Sequence, residues 1–154
     1  MESSKWKGCI QAPVAAPLQL VWEITSDFYA MKKWHPGLDV CERVEGAPEN
    51  GPGCTRYVAS STPTGTLWAK EKLNAMDSAH HSYNYTVVDT NIEGFKDYQA
   101  TFQVIEGEEQ GTCLVKWSFE LYPIPGKSEE DLVNYWSSLL SGVLKTLQDA
   151  VAPS

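Results

Sequence analysis

The sequence predicts an α+β domain in which a curved, seven-stranded antiparallel sheet wraps one long C-terminal helix and encloses an internal cavity. Three observations lead there. From residue 38 onward, short segments of period-two hydrophobicity recur between clusters of turn residues, the pattern of an antiparallel meander. The final stretch switches to period 3.6. The length, 154 residues, suits a single domain spanning 1–154, and a chain of this size buries roughly 68–70% of its unfolded surface without needing staples.

Taken in order, Lys5 to Gln11 reads as the opening strand, ended by the Pro13 to Pro17 stretch. Leu18, Val21, Trp22 and Ile24 fit a short helix. Asp27 can cap a second one carrying Phe28, Met31 and Trp34. His35-Pro36-Gly37 stops it, because a residue before proline avoids the α region. Strands are expected at 38–45, 54–60, 66–76, 81–88, 95–106 and 112–122, with turns at 46–53, 61–65 and 77–80. Ser128-Glu-Glu-Asp131 resembles a capping box with Asp in its last position. Behind it, Leu132, Tyr135, Trp136, Leu139, Leu140, Val143, Leu144, Leu147 and Val151 form one apolar helical stripe. Gly142 costs that helix about 1 kcal/mol relative to alanine, which suggests a close approach by another element there.

Composition removes several function classes. Twelve Lys and Arg face 20 Asp and Glu, a formal net charge of −8. Nucleic acid needs clustered cations for counterion release, and an anionic membrane needs a polybasic patch, so neither is expected as a partner. The four cysteines (Cys9, Cys41, Cys54, Cys113) show no CxxC spacing and no flanking histidines, so no metal site is expected. The first residues lack an apolar targeting core, so a reducing, cytoplasmic setting with four free thiols is expected, and the chain is expected to be a monomer.

Strand alternation then isolates the candidate chemistry. In the strand at 66–76, Leu67, Ala69, Leu73 and Ala75 share the apolar face, and Glu71 falls in the same register. Arg56 falls between Cys54 and Val58 in the apolar register of the preceding strand. Tyr98, Ala100, Phe102 and Val104 form the inner set of the next-to-last strand; Cys113, Val115, Trp117, Phe119 and Leu121 form that of the last. A carboxylate on a concave apolar face must be paired, protonated or solvated. The inner face thus offers an apolar cavity with Arg56, Glu71, Tyr98 and the tyrosines Tyr83 and Tyr85, the usual make-up of a small-molecule site. The same arginine and glutamate could equally be a buried pair that satisfies only itself. His80-His81 reads as a solvated turn. His35 reads as a loop residue that can reach a pocket mouth, and Trp6, Trp22, Trp34 and Trp68 as packing.

Longer strings carry a resemblance. Cys41-Glu-Arg-Val-Glu-Gly46, Gly53-Cys-Thr-Arg-Tyr-Val58, Trp68-Ala-Lys-Glu-Lys-Leu73, Ser82-Tyr-Asn-Tyr85, Asp97-Tyr-Gln-Ala-Thr101 and Trp117-Ser-Phe119 resemble, in the same order, plant lachrymatory-factor synthases. The wider group is the Bet v I-type, START-like helix-grip superfamily, also called polyketide cyclase-like, whose fold matches the element order above. The resemblance implies a cofactor-free isomerisation of a small sulfur-containing or hydrophobic substrate, in which an alkenyl sulfenic acid becomes a thial S-oxide and a proton moves. It implies essential roles for Arg56 and Glu71 and a pocket role for Tyr98. Arg56 would bind a polarised oxygen, Glu71 would shuttle the proton and Tyr98 would orient the substrate. Tyr83, Tyr85, Phe102, Trp117, Phe119 and Trp136 would shape the cavity and exclude water.

This chain departs from those enzymes at the turn Ser60-Ser-Thr-Pro-Thr-Gly65, which lacks their acidic run, and around Trp34-His35-Pro36. The rival expectation is a non-catalytic carrier of a hydrophobic metabolite, of the pathogenesis-related class 10 or latex type. Abscisic-acid receptors share the superfamily, but their Ser-Gly-Leu-Pro-Ala gate and His-Arg-Leu latch are absent here.

Overall fold

In the computed structural model, which describes residues 5–49 and 51–152, alternation of apolar and polar side chains shapes one seven-stranded sheet. Asn50 of the expected turn and the ends of the expected domain, 1–4 and 153–154, lie outside the described residues. The strands are β1 (Trp6–Val14), β2 (Val40–Arg43), β3 (Thr55–Thr62), β4 (Gly65–Asp77), β5 (Ser82–Thr90), β6 (Gln99–Glu106) and β7 (Cys113–Leu121). Their spatial order is β1-β7-β6-β5-β4-β3-β2, with every neighbouring pair antiparallel. Between β1 and β2 lie α1 (Leu18–Thr25) and a short 3-10 helix (Phe28–Lys33); α2 (Glu129–Val151) closes the chain. The α+β helix-grip architecture read from the sequence is the one found.

Helix α2 begins where the capping signal places it: Ser128 Oγ accepts from the Asp131 backbone N–H at 3.1 Å. Its face of Trp136, Leu140, Val143, Leu144, Leu147 and Val151 is buried against the sheet's inner side chains. The Thr146 hydroxyl donates to the Trp34 carbonyl at 2.7 Å, tying the helix to the segment that follows the 3-10 helix. None of the described helices is long and apolar enough to cross a membrane. The four cysteines are free thiols.

The differences from the expected elements have local causes. β1 runs on through Pro13, which pairs with Leu114; β1 is an edge strand, where a missing N–H breaks no ladder. β6 starts four residues later than expected, because residues 95–98 form a turn in which Asp97 takes φ 70°. β2 keeps only four of its eight expected residues. On β4 the register shifts at Lys70/Glu71 and again at Leu73/Ala75. The second irregularity moves Ala75 to the exposed side and turns Met76 towards the core. Bulges of this kind bend a strand and re-aim its side chains. Gly142 faces open space, not a neighbouring element. Close approach occurs instead at Gly8, where a Cβ would overlap the Phe119 ring.

Candidate functional site

The site starts from a cross-strand pair. Arg56 and Glu71 stand directly opposite each other on β3 and β4, so one register places both side chains on the inner face. Arg56 Nε donates to Glu71 Oε1 at 2.8 Å, with Arg56 1% and Glu71 7% exposed. Arg56 Nη1 donates to the Phe28 carbonyl at 3.0 Å, which anchors the 3-10 helix over the sheet. The guanidinium carbon lies 3.9 Å from the Phe28 ring centroid and 5.2 Å from that of Tyr85, an arrangement favourable to a cation. Burial penalises the Arg56 charge; Glu71, together with Tyr83, Tyr85 and Cys41, outweighs that and leaves its pKa raised. The remaining nitrogen, Nη2, is buried with no hydrogen-bond partner among the described residues.

In front of this pair lies a cavity of about 260 Å³ between the sheet and α2. Glu71, Tyr85, Tyr98, Trp117 and Trp136 line it, and Arg56 sits one layer behind. Its walls are mainly apolar, with His35 and Ser60 adding polar groups. Leu67, Tyr135 and Leu139 form part of the lining and are also substantially exposed, Tyr135 at 58%. The apolar stripe of α2 therefore does not bury throughout; its first turns border the cavity's opening. A larger open depression of about 630 Å³ lies on the opposite face of the sheet. There Asn84, Gln99 and Thr101 bond one another, and neither Arg56 nor Glu71 contributes.

The other residues singled out in the sequence divide into lining and support. Tyr98 follows the left-handed Asp97 and its hydroxyl is buried without a partner among the described residues. Burial, and then the Glu71 charge, push its pKa well up, so it is a neutral donor. Burial and Glu71 likewise raise Tyr85, whose hydroxyl accepts from Trp117 Nε1 at 3.2 Å. Tyr83, Phe102 and Phe119 do not line the cavity. Tyr83 packs on Tyr85 at 6.1 Å between centroids, Phe102 edge-on against Trp117 at 5.3 Å and Phe119 on Tyr98 at 5.8 Å, so these three back residues of the lining. Trp136 stacks on Phe95 at 4.6 Å.

His35 lines the cavity although no periodic pattern covers it; the only cue in the sequence was its place in a loop before Pro36. Desolvation, and then the Arg56 charge, lower its pKa. Phe95, Ile92, Leu38 and Met31 also line the cavity; Leu38 and Phe95, the first residues of expected strands, lie in loops, and Met31 stands on the 3-10 helix. His80 instead pairs with Asp77 at 2.7 Å, and His81 packs edge-on against Trp22 at 5.5 Å. Among the described residues no group of three or more His, Cys, Asp or Glu side chains is placed to hold a metal ion.

Chemically, Glu71 uses one carboxylate oxygen to hold Arg56, and no hydrogen bond to the described residues occupies the other. A carboxyl group, a neutral phenol donor and a histidine thus share one mainly apolar space. Such an arrangement can bind a small organic molecule and can move a proton on it.

Comparison with known proteins agrees with this fold. The family described as polyketide cyclase / dehydrase and lipid transport matches residues 9–152. An abscisic acid receptor of Arabidopsis thaliana is 27% identical over 136 residues, 87% of this chain; the chain spans only 63% of that receptor's length. A Bacillus cereus protein of solved structure superposes with a TM-score of 0.79 at 26% identity, covering 94% of each chain. The major latex-like protein 151 of Panax ginseng superposes with a TM-score of 0.79 at 19% identity, covering 97% of this chain and 99% of the other, a likeness of fold.

Proposed function

We propose, from the premise that this chain belongs to the polyketide cyclase / dehydrase and lipid transport family, that it is an enzyme that moves a proton on a small, mainly apolar substrate without a cofactor. The observation that carries the proposal is the buried Arg56–Glu71 pair at the cavity, with Glu71 and an unpartnered Tyr98 hydroxyl both on its lining. An apolar cavity gains nothing in stability from an ion pair that hydrophobic side chains of similar volume could replace. A pair kept there is well suited to chemistry.

In this reading Glu71 takes a proton from one substrate atom through its second oxygen and returns it to another. Arg56 holds the carboxylate in place and balances its charge, and Tyr98 donates a hydrogen bond to the substrate oxygen. A cavity of about 260 Å³ falls just below the usual range of about 300–1,000 Å³ for ligand sites, so the substrate is small. The strings that resemble those of lachrymatory-factor synthases make a sulfenic acid the first substrate to test, generated in situ because it does not persist.

The Glu71→Gln variant keeps the shape and an acceptor for Arg56 but cannot take up the proton. We expect turnover to fall by roughly 10²–10⁴-fold, the usual worth of general acid–base catalysis. Full turnover in this variant would remove Glu71 from the role. A second reading, a carrier of a hydrophobic metabolite, is favoured by the apolar opening at Leu67, Tyr135 and Leu139 and by the relative that is an abscisic acid receptor. Saturable binding with no product, across sulfenic acids and other small candidate substrates, would select it.

A further inference from the structure

His35 is a titratable side chain of the cavity lining that neither the proton-transfer reading nor the packing of the core uses. It enters from the loop after the 3-10 helix, across from the strand residues, and its backbone is fixed at both ends. Its N–H donates to the Met31 carbonyl at 2.9 Å, and its own carbonyl accepts from the Leu38 N–H at 3.1 Å. Gly37 leaves the ring room: a Cβ there would come 3.2 Å from the imidazole Cε1. The half-buried ring makes no side-chain hydrogen bond to the described residues.

From this placement we infer that His35 is a ligand-selecting residue, accepting a hydrogen bond from an O–H, N–H or S–H group on a small, uncharged, otherwise apolar molecule bound in the cavity. The inference rests on the cavity being a small-molecule site; it holds for an enzyme or a carrier.

The electrostatic surroundings fit an acceptor. From β3 the Arg56 guanidinium acts on the ring, and from β4 Glu71 lines the same cavity. Tyr85 of β5, Tyr98 of the turn before β6 and Tyr135 of α2 are the other titratable groups on the lining. Burial keeps Tyr85 and Tyr98 in their neutral forms. On its own segment Lys32, Lys33 and Asp39 are exposed, and Lys32 is turned to the Asp39 carbonyl at 2.9 Å. Desolvation and Arg56 both disfavour the imidazolium, so the ring is neutral near pH 7 and one nitrogen carries a lone pair. Protonation would turn both nitrogens into donors and end the acceptance.

Two fluorescent molecules of nearly equal shape separate the possibilities: 2-naphthol, which carries an O–H donor, and 2-methoxynaphthalene, which does not. Their dissociation constants are measured by fluorescence titration at pH 8 and pH 5 on the full chain and on His35→Leu and His35→Gln. We expect the full chain to prefer naphthol by roughly three- to tenfold at pH 8, the worth of one hydrogen bond, and to prefer it less at pH 5. His35→Leu should lose it at both pH values. His35→Gln, which keeps an acceptor but does not titrate, should hold it at both. A preference that survives in His35→Leu, or one with the same pH dependence in His35→Gln, overturns the inference while leaving the cavity as a binding site. Absence of binding by either molecule to the full chain overturns the small-molecule site and the inference with it.

Discussion

Replacing Glu71 by leucine strands a buried cation, and the size of the resulting loss can be worked from the contacts. Arg56 is 1% exposed and has two protein partners, Glu71 Oε1 at 2.8 Å and the Phe28 carbonyl at 3.0 Å. Glu71→Leu removes the charged partner, leaving Nε as well as Nη2 unsatisfied. Breaking a buried pair by deleting one side costs about 3–5 kcal/mol. For a chain of this size each kcal/mol moves Tm by about 2–4 °C, so Tm should fall by about 6–20 °C. The double variant Arg56→Met, Glu71→Leu removes both charges and fills similar volume. It also leaves the Phe28 carbonyl without its donor, at about 1 kcal/mol. Its stability should therefore return to within about 2 kcal/mol of the starting protein, or exceed it. Urea unfolding followed by fluorescence of the six tryptophans measures all three proteins. If Glu71→Leu alone costs under about 1 kcal/mol, or if the double variant is as unstable as the single one, the pair is not a desolvated ion pair and the electrostatic account fails.

Two other outcomes follow from packing and titration. Gly8→Val drives a side chain into the Phe119 ring that lies over the glycine, and should cost about 1–3 kcal/mol as overpacking. A loss below about 0.5 kcal/mol in urea unfolding would mean that the ring moves freely. His35 has a folded-state pKa below its ordinary value of 6.5, so on acidification the unfolded chain takes up this proton first. Stability is then full above about pH 6.5 and falls as the pH drops through and below that value. The difference in unfolding free energy between pH 7.5 and pH 5 should shrink in His35→Gln, and an unchanged difference would exclude a contribution from this histidine.

Alternation and helical periodicity are enforced by neighbours one to four residues away, so they can be read from the chain itself. They brought out β3 through β7, the C-terminal helix and its Ser128 cap, the antiparallel order and the inward register of Arg56 and Glu71. That register made the pair visible: two charged residues in apolar phase on consecutive strands joined by a short turn must meet if the strands pair. Local pattern was silent wherever a long-range contact decided the outcome. Pro13 stays in β1 because that strand is an edge. Ala75 leaves the inner face because β4 bulges against β5.

The division at the site follows the same physics. Tyr83, Phe102 and Phe119 have the inward phase of lining residues, yet aromatic stacking sets them behind the cavity wall. His35 and Ile92 come from segments without a period, and Leu38 and Phe95 from the ends of expected strands that do not pair; all four line the cavity from loops. Tyr135 and Leu139 belong to the helix's apolar stripe but stay exposed at the edge of the cavity. Strand and helix periods are local properties of the chain, so the elements, their order and the carboxylate–guanidinium pair in the apolar register are legible before any folding. Which side chains border the cavity and which stand behind them is set by packing, because a cavity exists only between elements distant in sequence.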